Sequence, residues 1–182
     1  MIFLTPQELN SARDFVDRAK DDGYRVVVVP QNIRRKLKDA VDITGAPIVD
    51  LERYKAQWNE SFEFSFVDPS ELSGEERAVF DQTDAILALR GGRPDRLREV
   101  AISTTMRIGA SGYAEASGVW EPKEGRIVIK RDELRSLETY AGTLLHEVAH
   151  AASGAPDVSA GFEDALTAEA GTVASEALSS AR

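Results

Sequence analysis

The order of patterns along the chain predicts an α+β fold, and three observations carry it. First, helix starts are written out as capping boxes. In "TPQE" (Thr5 to Glu8) a proline stands at the first helical position, and "SGEE" (Ser73 to Glu76) repeats the device. Second, short apolar or alternating runs mark strands, most plainly "YRVVVVP" and "GRIVIKR". Third, from about Asp132 to Ala152 and again to about Ala170 the apolar period is helical, interrupted at Gly154-Ala155-Pro156.

Taken in order, the first capping box opens a helix to about Lys20, "DDG" closes it, and "YRVVVVP" follows as a buried strand ended by Pro30. "NIRRKLKDAV" predicts a short helix capped by Asn32. "DLERYKAQWNE" predicts another, starting after Asp50. "SFEFSFVDP" alternates, with Phe62, Phe64 and Phe66 on one face of a half-buried strand. The character changes near Ser73, so residues 1–72 are expected to form an α/β segment and 73–182 a second domain. In the second, a helix runs to about Leu89 and stops at Gly91-Gly92, and an arginine-rich loop (Arg90, Arg93, Arg96, Arg98) follows. Three strands, "AISTTMRI", "GYAEASGVW" and "GRIVIKR", come next, the last two joined by the turn "EPKEG". The Ala/Ser-rich "TVASEALSSAR" at the end is expected to fray.

The bulk numbers exclude several functions. The 182 residues can bury a real core. Acids outnumber bases 31 to 22, for a net charge of −9, which argues against nucleic acid as the main partner. With no cysteine, disulfides and thiolate metal sites are ruled out. The start, "MIFLTPQELNSARDF", reads as neither a signal peptide nor a transmembrane span, so a cytoplasmic location and no membrane partner are expected. The loop arginines read as a solvated loop before they read as a grip on an acidic partner.

The chemistry is concentrated in "HEVAH" (His146 to His150), which holds both histidines of the chain. At about 100° per residue, His146 and His150 lie within about 40° of each other on one helix face. Leu137, Ala141, Leu144, Val148 and Ala152 cluster opposite, so the histidines stand apart from the core stripe. Imidazoles one turn apart reach a single Zn2+, and Glu147 projects beside the first of them as a general base. A catalytic zinc needs a third protein ligand, and Asp157, Glu163, Asp164 and Glu169 are the candidates downstream. If two helices pack antiparallel through a short turn, Glu163 lies level with the histidines, on a face with Leu166, Thr167 and Ala170. Asp157 reads as the N-cap of the second helix, with its role as a ligand left open. Glu163 is the expected third ligand.

With the whole HExxH motif present, the chain resembles the zincin-like metallopeptidases of the compact gluzincin type. The resemblance runs from about Ser73 to Gly171: a backing helix, a small mixed sheet, the HExxH helix, then a glutamate-bearing helix. It implies His146 and His150 as ligands, Glu147 as general base, a downstream carboxylate as third ligand, and a sheet-edge strand, "GYAEASGVW" or "GRIVIKR", that pairs with extended peptide. "HEVAHAASGAPD" departs from the metzincin pattern, with Gly154 and Asp157 each one position late. A second resemblance spans "WNESFEFSFVDPSEL", "GVWEPKEGRIVIKRDEL" and "FEDALT". These look like the metallopeptidase-like region at the C-terminal end of some bacterial GHKL-type ATP-binding proteins, which implies an ATP-binding partner domain or protein.

The expected function is a zinc-dependent hydrolase, most simply a metallopeptidase acting on a peptide or protein. The alternative is a metal-binding regulatory or interaction module that turns nothing over. Peptide hydrolysis also needs a donor for the developing oxyanion, for which Tyr113, Tyr140 and Arg107 are candidates. Thr167, one turn after Glu163, is a candidate hydrogen-bonding support.

Overall fold

The computed structural model describes residues 1–109 and 112–180. The chain is α+β and divides into two compact units, Met1–Glu63 with Arg107–Ala116, and Phe64–Met106 with Ser117–Arg182. The division thus falls at Glu63, not at the expected Leu72, and the later excursion 107–116 belongs with the first unit. Asn59 is one reason: its side-chain NH2 donates to the Ile108 carbonyl and its carbonyl accepts from the Ile108 N–H, both at 3.0 Å. Ile108 is buried in that unit's core.

The N-terminal unit holds β1 (Ile2–Leu4), α1 (Pro6–Ser11), α2 (Arg13–Asp21), β2 (Val26–Val28), α3 (Gln31–Leu37), β3 (Val49–Asp50) and α4 (Leu51–Ser61). The three strands are parallel in the order β2-β1-β3. Thr5 and Glu8 close the capping box reciprocally, and Asp50 caps α4 by accepting from the Arg53 N–H. Asn32 is not a cap: α3 starts after Pro30 with no side-chain cap, and Asn32 lies inside the helix. Ile2, Leu4, Phe15, Val16, Leu51 and Tyr54 form the core, with the Phe15 and Tyr54 rings 4.9 Å apart.

In the C-terminal unit the expected Phe62–Phe66 strand shrinks to β4 (Phe66–Val67), because Phe62 ends α4 and falls on the other side of the division. Then follow α5 (Gly74–Phe80), α6 (Thr83–Leu89), β5 (Glu99–Ser103), β6 (Gly118–Glu121), β7 (Arg126–Lys130), α7 (Leu137–Ser153) and α8 (Ala160–Ser180). The Ser73–Glu76 capping box forms, and the single helix expected to Leu89 is broken at Asp81-Gln82. The sheet order is β4-β5-β7-β6; β5 and β7 pair in parallel, and β4 and β6 are antiparallel edges. Ile102, Ile127 and Ile129 of the sheet pack with Leu87, Leu134, Tyr140, Leu144 and Val148 of the helices. Strand alternation puts the isoleucines on the face that α7 covers. Helix α8 runs on through the stretch expected to fray; Ala181 and Arg182 lie outside the described residues. Among the described residues no helix is long and apolar enough to cross a membrane.

Candidate metal centre

Helix α7 carries the motif. Ser136 caps its start by accepting from the Thr139 N–H, and Gly154 ends it in the left-handed conformation, φ +67°, its N–H donating to the His150 carbonyl. The buried stripe is Tyr140, Leu144, Glu147, Val148 and Ala151, while the expected stripe members Leu137 and Ala152 are exposed. The stripe is therefore turned toward Glu147, and the histidines sit on its flank.

After Gly154 the chain doubles back, and Asp157 points its carboxylate at both rings. Its Oδ1 lies 3.2 Å from His146 Nε2 and 3.1 Å from His150 Nε2, and the two Nε2 atoms are 3.3 Å apart. The edge of a tetrahedron is about 1.63 times its centre-to-corner distance, so ligands at 2.0–2.1 Å from one ion stand about 3.3–3.4 Å apart. The three atoms form a triangle of that size. His150 Nδ1 lies 2.9 Å from the Ala155 carbonyl, so an Nδ1–H donates there and Nε2 is the nitrogen that faces the triangle. Two imidazoles and a carboxylate are a donor set that suits zinc.

Two features hold the triangle. Val158, next to Asp157, has φ +58° and is 92% exposed. A β-branched residue in the left-handed region costs about 1–2 kcal/mol, and here that conformation turns the chain between Asp157 and Ser159, whose hydroxyl accepts from the Phe162 N–H. Phe162, 3% exposed, is the second. Its ring stacks on His150 at 4.2 Å and 16° and meets His146 edge-on at 4.8 Å, fixing both imidazole planes.

Glu147 is 6% exposed and lies under β6. A Cβ on Gly118 would come within 2.7 Å of Thr143 Cγ2 and 2.8 Å of Glu147 Cγ, so only glycine lets the strand approach this closely. Burial pushes the Glu147 carboxyl up to about 7, against the opposing pull of His150 and of a hydrogen bond from the Trp120 backbone, with Asp157 adding to the rise. A carboxyl poised near neutrality suits a group that takes and returns a proton.

Glu163, the expected third ligand, is not brought to the histidines. It is exposed, and Asp157 stands in its place. The chain passes through a longer connection than expected and α8 begins at Ala160, with Ser159, not Asp157, at the cap. At the level of the rings, burying Phe162 is favourable and burying a carboxylate is costly, so the phenylalanine faces α7 and its neighbour points away. Asp164 and Thr167 are exposed with it. Glu169 is buried, but in a two-pronged ion pair with Arg90, 2.7–2.9 Å, that ties α8 to the end of α6. Arg93 pairs with Asp84. Two of the loop arginines therefore have structural partners.

Of the expected oxyanion donors, Tyr140 is buried, shares a hydrogen bond with Thr83 at 2.6 Å, and has its hydroxyl pushed up to about 12 by burial. Tyr113 belongs to the N-terminal unit, where its ring stacks on Phe15 and its hydroxyl donates to Glu52, and Arg107 lies in the same unit. Phe162 and Gly118 went unnoticed in the sequence. A glycine opening a strand and an aromatic one turn into the following helix were the available signals.

The chain matches no protein-family model, no curated protein and no solved structure.

Proposed function

We propose that the C-terminal unit is a zinc-dependent hydrolase that cleaves a peptide or protein chain, with a zincin-like arrangement of its parts. The observation that carries the reading is the His146, His150 and Asp157 triangle, of ion-coordinating size, beside the buried Glu147. These three side chains would hold the zinc, which when bound supplies Lewis acidity toward a carbonyl and toward water. Glu147 takes the proton from the attacking water and returns it to the leaving amine. Strand β6 is an edge strand and receives the extended substrate; β7, the other strand considered for this role, is interior. Phe162 and the Ala155 carbonyl keep the imidazoles in one orientation.

The test is cleavage of a degenerate peptide library by the zinc-loaded protein, read by mass spectrometry. The wild type is expected to cut, and Glu147→Gln to lose at least about 100-fold of the rate while retaining zinc. Full turnover by the zinc-loaded Glu147→Gln protein would overturn the mechanism.

One observation favours a second reading, a non-catalytic metal-binding regulatory or protein-interaction module. Tyr140, the one expected oxyanion donor within the C-terminal unit, is committed to Thr83 in the core. Zinc bound with no peptide cleaved would support that reading.

A further inference from the structure

We propose that Glu133 selects the substrate, its carboxylate receiving a lysine or arginine side chain on one flank of the bond to be cut. For the placement of the bound chain this rests on the hydrolase reading above.

The free edge of β6 can be read from its pairing with β7. The Lys130 N–H donates to the Ser117 carbonyl, so Ser117 and Lys130 form a hydrogen-bonded pair. In the register Val119 with Val128 and Glu121 with Arg126, those pairs are hydrogen-bonded too. Gly118 and Trp120 between them turn their backbone N–H and C=O groups outward. An added chain therefore docks at Gly118 and at the Trp120 carbonyl, about 4.8 Å from β6, with the Trp120 N–H held by the Glu147 carboxylate.

Glu133 stands where that edge begins. It belongs to the turn of 3-10 helix between β7 and α7, and its side chain is held from the residue before β6 and from α7. Ser117 Oγ, one residue before Gly118, donates to Oε1 at 2.8 Å, and Thr143 Oγ1 lies 3.5 Å from Oε2. Thr139 Oγ1 fixes the backbone by donating to the Glu133 carbonyl at 2.7 Å. Thr143 is one helical turn before Glu147, about 6 Å along α7, so the Glu133 carboxylate flanks the general base at a distance of one or two substrate residues.

The carboxylate is half-buried, and among the described residues it meets hydroxyls and no cation. Of the cationic side chains nearest in sequence, Lys130 pairs with Asp132 and Arg131 with Glu76, and Arg135 is exposed. A carboxylate held in place by neutral donors, beside an edge that takes extended chain, is built to accept a charge-assisted hydrogen bond from whatever docks there. The acidic surplus of the chain favours the approach of basic peptides in the same sense.

The test separates recognition from chemistry. The zinc-loaded full chain carrying Glu147→Gln is titrated with N-acetylated fluorescent peptides that differ only in Lys, Gln or Glu at one scanned position. At one position Lys is expected to bind about tenfold tighter than Glu. Adding Glu133→Gln should erase that ratio, and Glu133→Lys should invert it. A ratio unchanged by both Glu133 variants, no charge preference at any position, or no peptide binding would each overturn the proposal. Charge-selective binding without cleavage by the wild type would instead sink the hydrolase reading and leave Glu133 as a recognition residue.

Discussion

Glu147 carries a conflict between stability and chemistry that can be measured. Burial raises its carboxyl from the ordinary 4.5 to about 7. A group whose pKa is raised on folding contributes stability that is fully present below its unfolded value and is lost as pH rises through the folded value. In chelator-treated protein, Glu147→Gln is therefore expected to be more stable than wild type at pH 8, by about 1–3 kcal/mol. The difference should vanish toward pH 4.5 and shrink on adding zinc, whose charge favours the carboxylate. Denaturant midpoints across this range check it; a difference independent of pH would mean that burial does not penalise the charge. At this scale the sequence was readable where spacing alone decides geometry. His146 and His150 share a face because any helix puts residues four apart together, and Glu147 follows from its place in the motif. Asp157 was harder to read, since its place beside the histidines depends on a left-handed Val158 that no propensity favours.

Among elements, β6 and α7 approach closely at Gly118. Gly118→Ala would force its methyl onto Thr143 and Glu147, and both of those atoms sit near the helix backbone with little freedom to move. The expected cost is about 1–3 kcal/mol of stability, measured by chemical denaturation, with peptide affinity falling as the edge strand is displaced. A neutral substitution would show that β6 does not lie against Glu147. The existence of α7, β6 and β7 was legible because their caps, turn and apolar runs are local signals. The rotation of α8 was not. Which of its faces meets α7 is set by the path of residues 154–159, and the choice of Phe162 over Glu163 is a packing outcome that helical periodicity leaves open. The core stripe of α7 was misread by the same mechanism, with Tyr140 and Ala151 buried where Leu137 and Ala152 were expected.

For the whole molecule, two cores are written into one chain, and the second is interrupted by residues 107–116, which complete the first. Both cores were present in the sequence as apolar runs. The order of the strands was not, and β1, the central strand of the N-terminal sheet, was missed because "IFL" is too short to show a period before Thr5 starts a helix. The hydrolase reading of the C-terminal unit depends on one ion held by three side chains. The most direct test is zinc stoichiometry by mass spectrometry of the purified protein beside His146→Ala, Asp157→Ala and Glu163→Ala. The account predicts about one zinc per chain in wild type and in Glu163→Ala, with affinity reduced roughly 100-fold or more in the other two. Zinc retained by Asp157→Ala and lost by Glu163→Ala would contradict it and require α8 to turn its other face to the histidines.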